Sequence, residues 1–390
     1  MTQVAHPASA SAAGTVTHAA SSAQVQEAVR DAAARGDVLR VVGAGTWLHA
    51  GRPVRAASSL SVRALAGVVE YVPGDLTITA WAGTTLEDLD RVTAEHGQWL
   101  ALDPFGLREG TLGATVATGS LGPLAASFGT PRDVVLGLQC VTGDGEIVHG
   151  GARVVKHVAG YDLVRLMTGA WGTLGVLTML TLRLRARAPV DATYAVSVAA
   201  PLREWIPAYR AASVAPLATE LLNGATAAAL GVSNGTTALV RVSGNDEAVA
   251  AQEKALAQLG SVRPVSNDTW AALARRDPAR PTAALRLSHR AARVADVWEL
   301  ATALARDVPD AVVHATLDRG IARVVLPRIS EADLMTRLRP PTECARVCEV
   351  LPASLWQELA PSAVSDPLSQ RVRAAFDPER RLNPGILGEA

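Results

Sequence analysis

The sequence predicts an α+β chain in which a two-part, glycine-rich α/β domain precedes a smaller α/β domain. Three observations carry this. Segments with apolar residues every three to four positions alternate with short β-branched runs. Glycine clusters recur from Gly43 to Gly175. They stop near Arg185–Pro189, and the chain beyond reads as a second alternation of helices and strands. The 390 residues are 49% hydrophobic, enough for two cores. The expected limits are a flexible tail over 1–20, a first domain over 21–188, a second over 189–365, and a segment over 366–390 that returns to the first.

The elements follow in order. Ser22 to Arg35 has a polar start, helical apolar spacing and a stop at Gly36, so it predicts an amphipathic helix. Strands are expected at Leu39–Val42, Leu60–Leu65 and Thr77–Trp81, and a capped helix from Thr85 to Gly97. Val134–Thr142, Glu146–His149 and Leu174–Leu184 are β-branched or apolar and read as strands, with Asp144-Gly145 as a tight turn between the first two. In the second domain, helices at Asp246–Leu259 and Ala291–Arg306 alternate with strands at Ala238–Val242, Val312–Leu317 and Ala322–Val325. Two sets of similar order hint at a duplicated unit, without a sequence period to support a repeat.

The glycine segments carry the chemistry. Val41–Trp47 (VVGAGTW), Gly110–Gly122 (GTLGATVATGSLG) and Gly160–Gly175 (GYDLVRLMTGAWGTLG) set glycines among small or hydroxylated residues. Backbone without side chains can approach a ligand closely and offer N–H groups to a diphosphate; glycines also make plain turns and bulges. Val41–Trp47 begins like a dinucleotide fingerprint, but Leu48 stands where a third glycine is needed and Gly51 and Pro53 disfavour the following helix, so a nicotinamide-binding unit is not expected.

Composition narrows the class. Basic and acidic residues balance at 37 each, which predicts no general attraction to nucleic acid or anionic membrane. No apolar run is long enough to span a bilayer, and the Ala- and Ser-rich first residues lack the features of a secretory signal. Cys140, Cys344 and Cys348 make no disulfide framework, which points to a reducing cytoplasm. They are also too few for an iron–sulfur cluster. The chain has two lysines, Lys156 and Lys254, so a phosphate site built on lysine is scarcely available.

Taken in order, Gly43–Thr46, Gly110–Pro123, Pro131–Gly137, Asp144–Ile147, Lys156–Asp162, Gly172–Gly175 and Phe376–Gly385 resemble the FAD-binding domain of the vanillyl-alcohol oxidase, or PCMH, type. Within that family the chain is similar to the FAD-binding subunits of glycolate oxidases. The likeness covers about half the chain. It implies a two-subdomain FAD-binding domain with a cap, and non-covalent FAD; His49 is out of register for covalent attachment. The diphosphate would lie against Gly43, Ala44, Gly45, Thr46 and Trp47 and against Gly110, Thr111 and Gly113. Ala114, Ala117, Thr118 and Gly122 would line the flavin side, and Gly172, Val176 and Asn383 would complete the site. The catalytic residues stay unassigned; Lys156, His314 and Arg319 are candidates. Lys156 is either a cation near the flavin or a surface residue paired with Asp162. His314–Gly320 is either a pocket wall or a strand end and turn, and a second histidine that would give a metal site is missing, so no metal is expected.

The function implied is oxidation of glycolate or a similar small 2-hydroxy acid to the 2-oxo acid. The partners implied are a larger flavin subunit and an iron–sulfur subunit, with membrane contact only through them. Alternatives are a flavin-binding assembly or relay subunit without turnover, a stand-alone FAD-dependent alcohol or sugar oxidase, and a nicotinamide-dependent reductase.

Overall fold

The computed structural model describes residues 15–151, 162–276 and 281–389. The first domain has two parts. Strands Val16–His18, Ser58–Ser61 and Leu39–Val42 form a three-stranded parallel sheet with Ser58–Ser61 in the middle. The helix Ser22–Arg35 packs on it through Val25, Val29 and Ala32. Ser21 caps this helix at its start, accepting from the Gln24 N–H, and Gly36 at φ 72° closes it. The second part is a five-stranded antiparallel sheet in the order Val68–Val72, Thr77–Trp81, Val176–Arg183, Val135–Val141, Ile147–Gly151. Helices Leu86–Ala94 and Leu112–Thr118 contribute Leu86, Leu89, Leu112 and Val116 to its core.

Two local expectations change. The strand expected at Leu60–Leu65 ends at Ser61, and Leu65 lies in a turn whose N–H donates to the Val62 carbonyl at 3.1 Å. Val16–His18, inside the segment expected to be a flexible tail, pairs with Ser59–Ser61.

The second domain carries one eight-stranded sheet, every pairing antiparallel. Its order is Val262–Val265, Val190–Ser197, Thr237–Gly244, Pro216–Leu222, Val312–Thr316, Ile321–Leu326, Ala283–Ser288, Ala345–Val350. Numbered along the chain within each half, the order is 4-1-3-2 and then 2-3-1-4. Each half is built on a strand–helix–strand–strand–helix–strand unit, the helices being Leu202–Ala211 and Asp246–Leu256, then Val294–Ala305 and Glu331–Leu338, with one extra short helix, Gly224–Ala229, between the middle strands of the first half. The duplication therefore exists as topology. The halves join where Glu220, Leu221 and Leu222 pair with Thr316, Ala315 and His314. Helices from both halves cover one face of the sheet, burying Trp205, Val249, Trp298 and Leu334. The opposite face looks at the first domain, where Ala50, Trp47 and Trp171 pack on Ala284, Val312, Val325 and Val350.

The C-terminal segment closes the first domain. Asp377, fully buried, accepts from Arg373 Nη2 at 3.1 Å and from the N–H groups of Arg381 and Leu382 at 2.9 Å each. The Phe376 carbonyl accepts from Gly143, and Asn383 N–H donates to the Leu39 carbonyl. Removing Asp377 takes from the buried Arg373 guanidinium one of its two carboxylates, Glu389 being the other, and strands two backbone N–H groups, a loss on the order of 3 kcal/mol. Asp377→Ala is expected to lower unfolding free energy by about that amount in urea titration, and Asp377→Asn to lose less because its one amide oxygen still accepts from one of the two backbone N–H groups, which the carboxylate takes on separate oxygens.

Candidate functional site

A cleft runs through the first domain between the loop after strand Leu39–Val42, the helix Leu112–Thr118 and the turn before strand Val176–Arg183. Its walls include Gly43, Gly45, Thr46 and Trp47, then Gly113, Ala114, Ala117 and Thr118, then Trp171, Gly172 and Asn383. The walls nearly touch. A Cβ on Gly43 would fall 2.3 Å from Thr111 Oγ1, and one on Gly113 would fall 2.8 Å from the Ala82 Cβ. Glycine at both positions is a packing requirement, and it brings bare main chain to the cleft.

Among the described residues, the N–H groups of Gly43 to Trp47 donate no hydrogen bond. Five successive unspent donors at a cleft fit an anion that lies along the loop. Arg40 flanks them: it lines the cleft, donates to the Leu48 carbonyl at 2.5 Å and so closes the loop. Burial pushes its guanidinium pKa down from the usual value. Arg40 had no distinguishing signal in the sequence, because a strand arginine looks like any solvated one.

The helix Leu112–Thr118 differs from the expected diphosphate cradle. Leu112 N–H donates to Thr84 O and Gly113 N–H to Ala82 O, each at 2.8 Å. Ala114 N–H is capped by Thr111 Oγ1 at 3.3 Å. These donors are spent on the fold, so this segment offers the cleft a small-residue wall. Gly110 stands behind the wall, with its Cβ position 3.5 Å from Thr46 Oγ1. Gly122 lies apart from the cleft: a Cβ there would sit 1.9 Å from the Asp103 carbonyl oxygen. Val176 points the other way, into the small core with Val141 and Leu60, while its neighbours Gly175 and Leu177 line the cleft. Asn383 lines the cleft with its side chain already engaged, as Val41 N–H donates to its Oδ1 at 2.8 Å and its Nδ2 donates to Trp171 O at 2.7 Å. Lys156 lies outside the described residues.

A second set of polar residues sits under the cap sheet at the seam of its halves. His314 Nδ1 donates to Glu220 Oε2 at 2.7 Å, and Thr316 donates to Glu220 Oε1. All three are buried, Glu220 completely. On the next strand Arg323 pairs with Glu349, its Nη2 at 2.9 Å from Oε2. Phe105, from the first domain, stacks 4.8 Å from the His314 ring and 4.9 Å from the Arg323 guanidinium. His314, Thr316, Arg323, Glu349 and Phe105, with Arg286 and Leu121 but not Glu220, line a cavity of about 10 Å³, the size of one water. Arg286 is partly buried and has no hydrogen-bond or ion-pair partner among the described residues. The cavity is next to the cleft, since Gly106, beside Phe105, has its Cβ position 3.1 Å from Trp47 Nε1.

Of the two candidates on this segment, His314 lies in the cavity and Arg319 does not. Arg319 reaches the first domain instead, donating to Ala125 O at 3.0 Å. Glu220, Arg286, Arg323 and Glu349 escaped the sequence reading because strand register, not spacing, brings them together. Among the described residues no group of three metal-ligating side chains occurs, and no helix is long and apolar enough to cross a membrane.

Residues 13–151 match the family described as FAD binding domain. Over 166 residues the chain is 40% identical to glycolate oxidase subunit GlcE of Escherichia coli, covering 42% of this chain and 46% of that protein. It is 33% identical over 143 residues to glycolate oxidase subunit GlcD of Bacillus subtilis, covering 36% of this chain and 30% of the relative. The chain carries an FAD-binding domain of the p-cresol methylhydroxylase type. A D-lactate dehydrogenase of Archaeoglobus fulgidus is 40% identical over 104 residues, or 26% of this chain and 23% of that one. The matched stretches span less than half the length of these relatives. Around the FAD-binding domain, the whole fold is similar to p-cresol methylhydroxylase, at TM-score 0.75 and 15% identity over 96% of this chain and 88% of that one. Alkyldihydroxyacetonephosphate synthase has TM-score 0.69 at 14% identity, over 95% and 76%.

The cofactor is FAD, and the unspent donors of Gly43 to Trp47 fit its diphosphate. Gly43→Ala forces the Thr111 wall away, so it is expected to yield a folded protein whose FAD content, read from absorbance, falls by at least about tenfold.

A separate expectation concerns Asp103, whose Oδ2 accepts from Leu124 N–H at 2.9 Å. Burial, with a smaller contribution from the Glu220 charge, pushes its carboxyl up to about 7. A carboxyl raised above its unfolded value of about 3.9 favours folding while protonated, so its contribution fades as pH rises from about 4 to 7. Asp103→Asn is expected to flatten that slope in chemical denaturation across the same window.

Proposed function

We propose that this chain is the FAD-binding subunit of a glycolate oxidase-like complex that oxidises glycolate or a similar small 2-hydroxy acid to the 2-oxo acid. The observation that carries it is Arg286, an unpaired guanidinium in an inter-domain cavity beside a buried His314–Glu220 pair and next to the FAD cleft. The names of the relatives, two glycolate oxidase subunits and a D-lactate dehydrogenase, support the same substrate class.

The residues divide the work. Arg286 holds the substrate carboxylate, a charge-assisted contact suited to a fork of N–H donors. Glu220 fixes His314 with Nδ1–H toward it, leaving Nε2 as the acceptor for the substrate hydroxyl proton. Arg323, held by Glu349, stays beside the reacting oxygen as a fixed positive charge. Phe105 and Leu121 keep water out, and one of them must swing aside, since the cavity holds about 10 Å³. Bound FAD supplies the two-electron acceptor. The onward carrier belongs to partners: three cysteines in the whole chain cannot ligate a four-cysteine iron–sulfur cluster. A larger flavin subunit and an iron–sulfur subunit complete the complex, in the cytoplasm, touching membrane only through those partners.

The narrowness of the cavity favours a second reading, an assembly or relay subunit that binds FAD without turnover. Anaerobic mixing of the FAD-loaded chain with glycolate or D-lactate separates them. Bleaching near 450 nm (about the flavin band) supports turnover, and a yellow protein that no 2-hydroxy acid bleaches supports the relay. If turnover holds, Arg286→Gln is expected to raise KM by roughly 10- to 100-fold at unchanged FAD content, the loss of one charged hydrogen-bonded contact.

A further inference from the structure

We propose that a cavity on the far side of the Gly169–Leu174 turn is the docking site for a segment of a partner protein that presents an apolar side chain between carboxylates. The proposal rests on the reading above, which requires a partner. The cavity holds about 400 Å³ and lies between the helix Leu163–Met167, that turn and the C-terminal helix Pro367–Phe376. Its position is informative. Gly169, Ala170, Thr173 and Leu174 face this cavity, while Trp171 and Gly172 of the same turn face the FAD cleft. A single turn of chain separates the two, so a protein bound here stands next to the cofactor.

The lining selects the occupant. Four arginines, Arg132, Arg165, Arg373 and Arg380, face it with one carboxylate, Glu389, in a chain whose basic and acidic residues balance at 37 each. Arg165 is paired with Asp162, at 3.1 Å, and Arg132 donates to the Thr168 carbonyl at 3.3 Å. Arg373 is 8% exposed and already paired with Asp377 at 3.1 Å and Glu389 at 3.2 Å, so the charge open to a ligand lies on the more exposed arginines of the rim. The floor is apolar through Leu166, Leu174 and Val372. At the rim Leu368 is 63% exposed, which a small anion would leave uncovered and a polypeptide would bury. A second copy of this chain fits poorly, because a two-fold contact sets the same arginines against one another.

The test uses the full chain produced in its own cells with a photo-crosslinking residue at position 368 and, as control, at exposed Val69 on the other sheet edge. Crosslinked peptides are sequenced. The expected result is a peptide of a different protein, carrying an apolar residue flanked by Asp or Glu, captured from 368 and not from 69. Arg132→Glu with Arg165→Glu is expected to cut that yield about tenfold, at unchanged FAD content and unchanged bleaching by hydroxy acid. Leu368→Ser, tested with the crosslinker at Val364, is expected to weaken it as well. Capture of another copy of this chain, of a peptide without carboxylates, or of nothing would overturn the docking site, as would a yield indifferent to charge reversal. Bleaching of the chain alone reports on the enzymatic reading separately, so either idea can fail without the other.

Discussion

One side chain sets the width of the cleft that fits FAD. Asn383 accepts from Val41 N–H on one wall and donates to Trp171 O on the other, and its backbone N–H is held by Leu39 O. It does so at φ 46°, a left-handed conformation that asparagine tolerates better than most residues. Gly172 answers it from the facing turn: a Cβ there would lie 2.8 Å from Asn383 Nδ2. Asp377 anchors the segment that delivers Asn383. The cleft is therefore a long-range construction, in which residues near the C-terminus fix the distance between two loops of the first domain. Thr111 performs the same service at the other end, where Gly43 can approach its hydroxyl only because it lacks a side chain.

What could be read from the sequence was what local chemistry determines. The cap at Thr85, the stop at Gly36 and the Asp144-Gly145 turn depend on a few adjacent residues and stand where the pattern put them, while the first helix takes Ser21 as its cap and Ser22, the expected polar start, as its first residue. The glycine loops were legible for the same reason. Their hydrogen bonding was not. The Gly110–Gly113 segment was expected to face the diphosphate, yet Thr84 and Ala82, from a distant strand end, take the N–H groups of Leu112 and Gly113. Val176 turns its side chain into the core while its neighbours Gly175 and Leu177 face the cleft, so only its backbone is left to border the site.

The cap shows the same limit more sharply. Glu220 and His314 are 94 positions apart and meet only because two similar half-sheets join edge to edge. The seam is the one place in the sheet where the halves contribute adjacent strands, so a residue from each can share a hydrogen bond there. The duplication was visible as an order of elements and invisible as a period, because burial constrains which face is apolar without fixing which apolar residue is used.

The row of charge on that sheet face also bears on how the cavity works. Arg286 and Arg323 are direct partners in the strand register. A buried guanidinium costs several kcal/mol unless matched, and Arg323 is matched by Glu349. Among the described residues Arg286 has no such counterion, and it sits beside a like charge, an arrangement that opposes folding and is relieved by a bound anion. A carboxylate satisfies both its charge and its fork of donors, whereas a neutral alcohol satisfies neither. Under the proposed function, the unpaired member of the row would favour a hydroxy acid over an alcohol or a sugar as the guest, with the His314–Glu220 pair on the same face to receive its proton.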